Sequence, residues 1–97
     1  MDRITFSWSE QKNKANQKKH SVSFEEAQTV FFDENAIEFF DPDHSETEDR
    51  FLMLGLCVRL RILVICHCYR KNNFEIIIIS ARKATKQEQQ NYSRGIK

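Results

Sequence analysis

Glycine and proline are nearly missing from this chain, at two and one in 97 residues. Disordered and collagen-like polymers are rich in both, so the scarcity points to a folded chain. No charge sign dominates: fifteen Lys and Arg against 14 Asp and Glu leave a net charge of +1, which argues for neither a strongly basic nucleic-acid binder nor an acidic mimic. No CxxC pair and no Cys/His set has zinc-finger spacing. The three cysteines, Cys57, Cys66 and Cys68, are an odd number. Cys66 and Cys68 lie too close along one strand for an easy disulfide, which suits reduced, buried thiols. Apolar runs such as Ile76–Ile79 are far too short to cross a bilayer, and the opening MDRITFSW lacks a signal peptide's apolar core. The expectation is a cytoplasmic protein with no membrane contact.

What is present suits a single domain over residues 1–97. Eight phenylalanines and 40% hydrophobic content supply one modest core and not two. Residues 4–8 alternate as a short strand. Ser9 caps a helix to about Lys19, polar apart from Ala15 and so expected to pack weakly at the surface. Ser23 and Glu26 have capping-box spacing for a second helix, with Ala27, Val30 and Phe31 facing the core. Residues 36–41 read as a strand closed by Pro42, and 41–50 as a polar loop. Strands at 50–58, 62–69 and 74–80 follow with short connections, so neighbours pair antiparallel. Thr85 and Glu88 form a further capping box for a C-terminal helix. The order βααββββα predicts an α+β fold: one twisted antiparallel sheet with N-terminal helices and a C-terminal helix.

The charges segregate. Asp33, Glu34, Glu38, Asp41, Asp43, Glu46, Glu48 and Asp49 occur without an intervening Lys or Arg, while both ends of the chain are basic. If those ends meet, the domain gains a positive face opposite an acidic connection.

Three segments together carry a resemblance: FSWSEQKNKANQKKHSVSFEEA (6–27), FFDPDHSETEDRFLMLG (39–55), and Tyr69-Arg70 with IISARKATKQEQQNY (78–92). In that order they resemble the BrnT family of toxins from bacterial type II toxin–antitoxin systems, whose fold is similar to that of RelE-like ribonucleases. The resemblance implies a ribonuclease that inhibits translation by cleaving RNA and is held inactive by a BrnA-type ribbon-helix-helix antitoxin. Operator DNA is then reached only through the antitoxin. Two positions depart from the family pattern. Ile77 stands where a basic residue gives RIISAR, and Ser21 stands where glycine follows Lys-His.

RNA is cut without a metal when its own 2′-hydroxyl attacks the adjacent phosphate, given a base, an acid and cations. The catalytic candidates are Arg82, Arg70, His20 and Glu48, with His44 a further possible base. Arg82, at the mouth of a greasy strand, offers a planar fork for phosphate, or equally for a structural carboxylate. His20 closes the first helix as an acid or base, or as a plain C-terminal cap. Lys19, Lys12 and Lys83 are RNA-binding candidates. Trp8 and Tyr92 could stack on bases, although Trp8 also suits a core anchor. His67 reads as a buried, hydrogen-bonded histidine. The acids crowd a loop beside Pro42, so neither a metal nor another cofactor is expected. The competing reading is a non-catalytic partner and co-repressor of a DNA-binding antitoxin.

Overall fold

The computed structural model describes residues 3–95. Its elements are β1 (Thr5–Ser7), α1 (Glu10–His20), α2 (Phe24–Gln28), β2 (Ile37–Phe40), β3 (Phe51–Leu56), β4 (Ile62–Arg70), β5 (Glu75–Lys83) and α3 (Lys86–Arg94), with short 3₁₀ turns at Thr29–Phe32 and Pro42–His44. The five strands form one sheet in the order β1-β5-β4-β3-β2. The α+β architecture matches the expectation, and β2 to β5 pair antiparallel. β1 pairs parallel to β5. It is tied to that strand by no hairpin, so no turn dictates its direction, and the sheet is mixed.

The alternation of side chains gives the sheet two faces. On one, Leu63, Ile65, Ile78 and Ala81 pack beneath Val22, Phe24, Ala27 and Val30. On the other, Leu54 and Val64 pack with Ala84 and Tyr92 at the α3 end, and the rest of that face is less covered. β5 is longer than its sequence suggests. Register slips between Cys66–Ser80 and His67–Ile78, leaving Ile79 unopposed. Past that bulge, Ser80–Lys83 continue the ladder, so Arg82 lies within the strand.

The polar α1 is not weakly held. Its Ala15 is exposed, and Asn13 and Asn16 are buried instead. β1 pairs no further than Ile77, so the β5 edge beyond it needs another partner. Asn16 provides one: its Nδ2 donates to the Ala81 carbonyl (2.9 Å) and the Val22 carbonyl (2.8 Å), and its Oδ1 accepts from the Ala81 N–H (3.1 Å). A side-chain amide thereby mimics one residue of a missing strand. Asn13 Oδ1 accepts from the Phe24 N–H (2.9 Å), and its Nδ2 donates to Glu25 (2.9 Å), fixing the start of α2. Ser23 also caps α2, but the reciprocal half of that box is absent because Glu26 is claimed by Arg61 and Cys57.

Turns without glycine take left-handed backbone. Leu60 (φ 64°) closes the β3–β4 hairpin, and Lys71, Asn72 and Asn73 close β4–β5. Ser21, the α1 C-cap, has φ 58° and donates its N–H to Gln17. Ser21 thus holds a left-handed backbone that favours glycine.

Two outcomes follow for stability. Asn16→Ala strands an amide and two carbonyls, and is expected to cost about 2–3 kcal/mol in urea unfolding. Ser21→Gly relieves a strained φ and should raise stability by about 0.5–1 kcal/mol in the same assay, with α1 content unchanged by circular dichroism.

Candidate active site

The segment between β2 and β3 folds back on itself over the less covered face. Asp41 N–H bonds to the Arg50 carbonyl (2.8 Å), extending the β2–β3 ladder by one pair. Arg50 N–H bonds to Ser45 Oγ (2.9 Å), and that hydroxyl donates to the Asp41 carbonyl. Phe51 opposes His67 on the α2 face, so Asp41 and Arg50, each one step before it in register, fall on the other face beside Cys68. Asp41 is buried, and its Oδ2 lies 2.9 Å from Nδ1 of the exposed His44. A carboxylate only accepts, so Nδ1 donates, and Nε2 is the ring nitrogen outside the pair.

Beside this dyad, Glu48 receives Arg70 (2.7 Å) and the Cys68 thiol (3.5 Å). The Arg70 hydrogen bond holds the Glu48 carboxyl below its ordinary range against burial, which makes it a poor proton acceptor. Burial pushes the Cys66 and Cys68 thiols up, and the positive charge of Arg50 opposes that shift at both. Lys12, reaching from the first turn of α1, acts on Cys66 in the same sense. Among the described residues no carboxylate lies within ion-pair distance of Arg50. One end of the open face thus holds an oriented imidazole and two arginines around a floor of Cys66 and Cys68.

Arg82 stands apart from this group. It opposes Val64, six residues from Arg70 on β4, or roughly 20 Å at the usual strand rise. Its fork is occupied: two nitrogens reach the two oxygens of Glu88 at 2.7 and 2.9 Å. Glu88 Oε1 also accepts from the Thr85 N–H, so one carboxylate caps α3 and clamps it to β5. Arg82 is a structural clamp here, the alternative its chemistry left open. Arg70 and Glu48 meet, as an ion pair, and neither Arg82 nor His20 hydrogen-bonds to them or to the other. His20 ends α1 next to Ser21, whose carbonyl accepts from Arg61, at the opposite end of β4 from Arg70.

The RNA-binding candidates scatter likewise. Lys12 is exposed in the first turn of α1, Lys19 is exposed at its far end, and Lys83 projects from the opposite face to Arg82. Trp8 is half-buried edge-on to Phe24 (6.1 Å), with its indole N–H on Glu10, which makes it a core anchor. Tyr92 offers no ring face to a base. It is buried, and its hydroxyl donates to Asp33 (2.6 Å). Burial and that carboxylate push its phenol up to about 12.

On the α2 face His67 is wholly buried, with Nδ1 3.0 Å from the Ile65 carbonyl and Nε2 2.9 Å from Glu38. Tyr69 donates to the same Glu38 oxygen. A depression of about 590 Å³ nearby is lined by Glu38, Glu48, Asp49, Phe51, Tyr69 and Asn73, and its three carboxylates suit it poorly to phosphate. Among the described residues no three His, Cys, Asp or Glu side chains gather as a group able to hold a metal. No helix is long and apolar enough to cross a membrane.

The sequence offered His44 as a possible base and Asp41 only as one of the loop acids, and it gave no sign of Arg50. The readable signal was the Asp-x-x-His spacing across Pro42, which one 3₁₀ turn converts into a contact.

The fold is α+β, a mixed sheet flanked by short helices, with an imidazole held by Asp41 at one end of its open face. Residues 8–88 match the family described as ribonuclease toxin, BrnT, of type II toxin-antitoxin system. The chain belongs to that family, which implies an antitoxin partner. The 1.1 Å crystal structure of the Brucella abortus ribonuclease toxin BrnT is similar in fold, with a TM-score of 0.65 at 21% identity over 86% of this chain and 99% of that one. No curated protein sequence matches significantly.

The clamp has a pH signature. Arg82, then the Thr85 N–H, hold the Glu88 carboxyl down at about 2 from an ordinary 4.5, against burial. A lowered folded value means the contribution is present above pH 4.5 and fades as pH falls towards 2. With the guanidinium 39% exposed, solvent screening reduces it to about 1 kcal/mol. Glu88→Gln should lose that amount at pH 7 and flatten the acid limb of stability between those values, as read by unfolding at stepped pH.

Proposed function

We propose that this chain is a metal-independent endoribonuclease toxin that inhibits translation by cutting RNA at the His44–Asp41 end of its open sheet face. The carrying observation is the 2.9 Å contact that orients His44 beside Arg50 and the Arg70–Glu48 pair. His44 Nε2 removes the proton of a ribose 2′-hydroxyl. The 2′-oxygen then attacks phosphorus, the bond to the 5′-oxygen breaks, and that oxygen takes a proton from solvent. Arg50, Arg70 and Lys12 neutralise the phosphate oxygens as charge builds on them. Asp41 holds the ring in one tautomer and steadies the imidazolium that forms, the role a buried carboxylate plays beside a catalytic histidine.

Arg70 is bound to Glu48 in the free protein, and a phosphate arriving at its fork exchanges one anion for another. A BrnA-type ribbon-helix-helix antitoxin holds the toxin inactive in the cytoplasm and carries the complex to operator DNA.

Products should bear 2′,3′-cyclic or 3′-phosphate ends, and cleavage should survive EDTA. His44→Ala should lower the rate by roughly 10²–10⁴, and Arg50→Ala by roughly 10²–10³. Asp41→Asn should fall between wild type and His44→Ala. Products with 3′-hydroxyl ends, or full activity in the His44→Ala protein at equal soluble yield, would overturn this assignment.

A further inference from the structure

The acid-rich side of the sheet ends in an edge that pairs with no further strand among the described residues, with Gly95 at the end of α3 packed against Ile37 at its start. β2 has β3 as its one neighbour. The Asp41–Arg50 backbone bond fixes the alternation of the ladder. Ile37, Phe39 and Asp41 turn their backbone groups to β3, so Glu38 and Phe40 turn theirs outwards. Phe39 and Phe40 are 43% and 52% exposed and lie on opposite faces of the sheet. No Lys or Pro lies within these four residues, and their outward N–H and C=O groups are open to a further strand.

We propose that this edge takes up an extended segment of the partner antitoxin by strand addition, a segment apolar at its centre and basic at its flanks. The proposal rests on the toxin–antitoxin reading above and adds where the partner docks and with what chemistry. The apolar centre answers Phe39 and Phe40. The basic flanks answer Glu34 at one end of β2 and Asp43 and Glu46 at the other, all exposed in a stretch with no Lys or Arg from Asp33 to Asp49. A second copy of this chain is the poorer occupant, because antiparallel self-pairing would set Glu34 of one copy towards Asp43 of the next. Asp41 directly follows β2, so a strand docked there lies beside the His44–Asp41 pair. The edge therefore couples partner binding to closure of the site.

The test uses the purified full chain and the full-length antitoxin encoded with it, with affinity read by calorimetry and association by surface kinetics. Phe40→Pro deletes an outward N–H and leaves the β2–β3 bonds intact. It should weaken binding at least roughly tenfold if strand addition carries the contact. The pair Glu34→Lys and Asp43→Lys leaves the backbone alone and should slow association roughly tenfold at low salt, an effect that vanishes at high salt. Both proteins are first shown to unfold as cooperatively as wild type. Unchanged affinity and association in both variants would overturn the edge as the docking site. A wild-type dimer in sedimentation that Phe40→Pro renders monomeric would overturn the antitoxin as occupant in favour of self-pairing. Failure of the wild-type chain to bind the antitoxin at all would overturn the partner reading itself, and is distinguished because it precedes any substitution.

Discussion

One amide side chain joins the first half of this molecule to its sheet. Asn16 meets both the N–H and the carbonyl of Ala81 while also holding the Val22 carbonyl. Without it the β5 edge beyond Ile77 would be buried with unpaired backbone groups, a cost that hydrophobic contact from a helix as polar as α1 could not offset. The same residue fixes where α1 ends. Asn13, one turn earlier, fixes where α2 begins.

The far side of the molecule is held by carboxylates doing double duty. Asp33 accepts from the Leu56 N–H and from the Tyr92 hydroxyl, which ties β3 to α3. Burial raises its carboxyl, yet those bonds and the Asn35 N–H hold it below the ordinary range. Gly55 permits this arrangement, since a Cβ there would lie 2.8 Å from Val30 and 3.1 Å from the Asp33 carboxylate. Glu88 plays the equivalent part for the start of α3, and Glu26 for the junction of α2 with Arg61. Each binds a backbone end or a strand through a charged hydrogen bond, stronger than a neutral one. The acids of the Asp41–Asp49 segment instead orient His44 and occupy Arg70.

Local chemistry was readable in the residues to different depths. Both Ser9 and the Thr85–Glu88 box cap the helices expected of them, because a cap depends on neighbours within one turn. Strand positions emerged from β-branched runs and alternation for the same reason. The Ser23–Glu26 box failed by half, because Arg61, 35 residues away in sequence, outbids a local backbone N–H for that carboxylate. Arg82 suited a phosphate or a structural carboxylate, and Glu88, six residues on, holds it. Tyr92 read as a free aromatic because nothing local says which face of α3 is buried.

Short-range pattern was therefore enough for the α+β class, the strand order along the chain, the caps and the family. Distant pairing settled the rest: the parallel direction of β1, the bulge that carries β5 through Arg82, the burial of two asparagines, and the meeting of Asp41, His44 and Arg50. The physical reason is range. Caps and periodicity are set by atoms a few residues apart, whereas a site on a sheet depends on register between strands. A shift of one residue in that register would send every side chain of the open face to the other side.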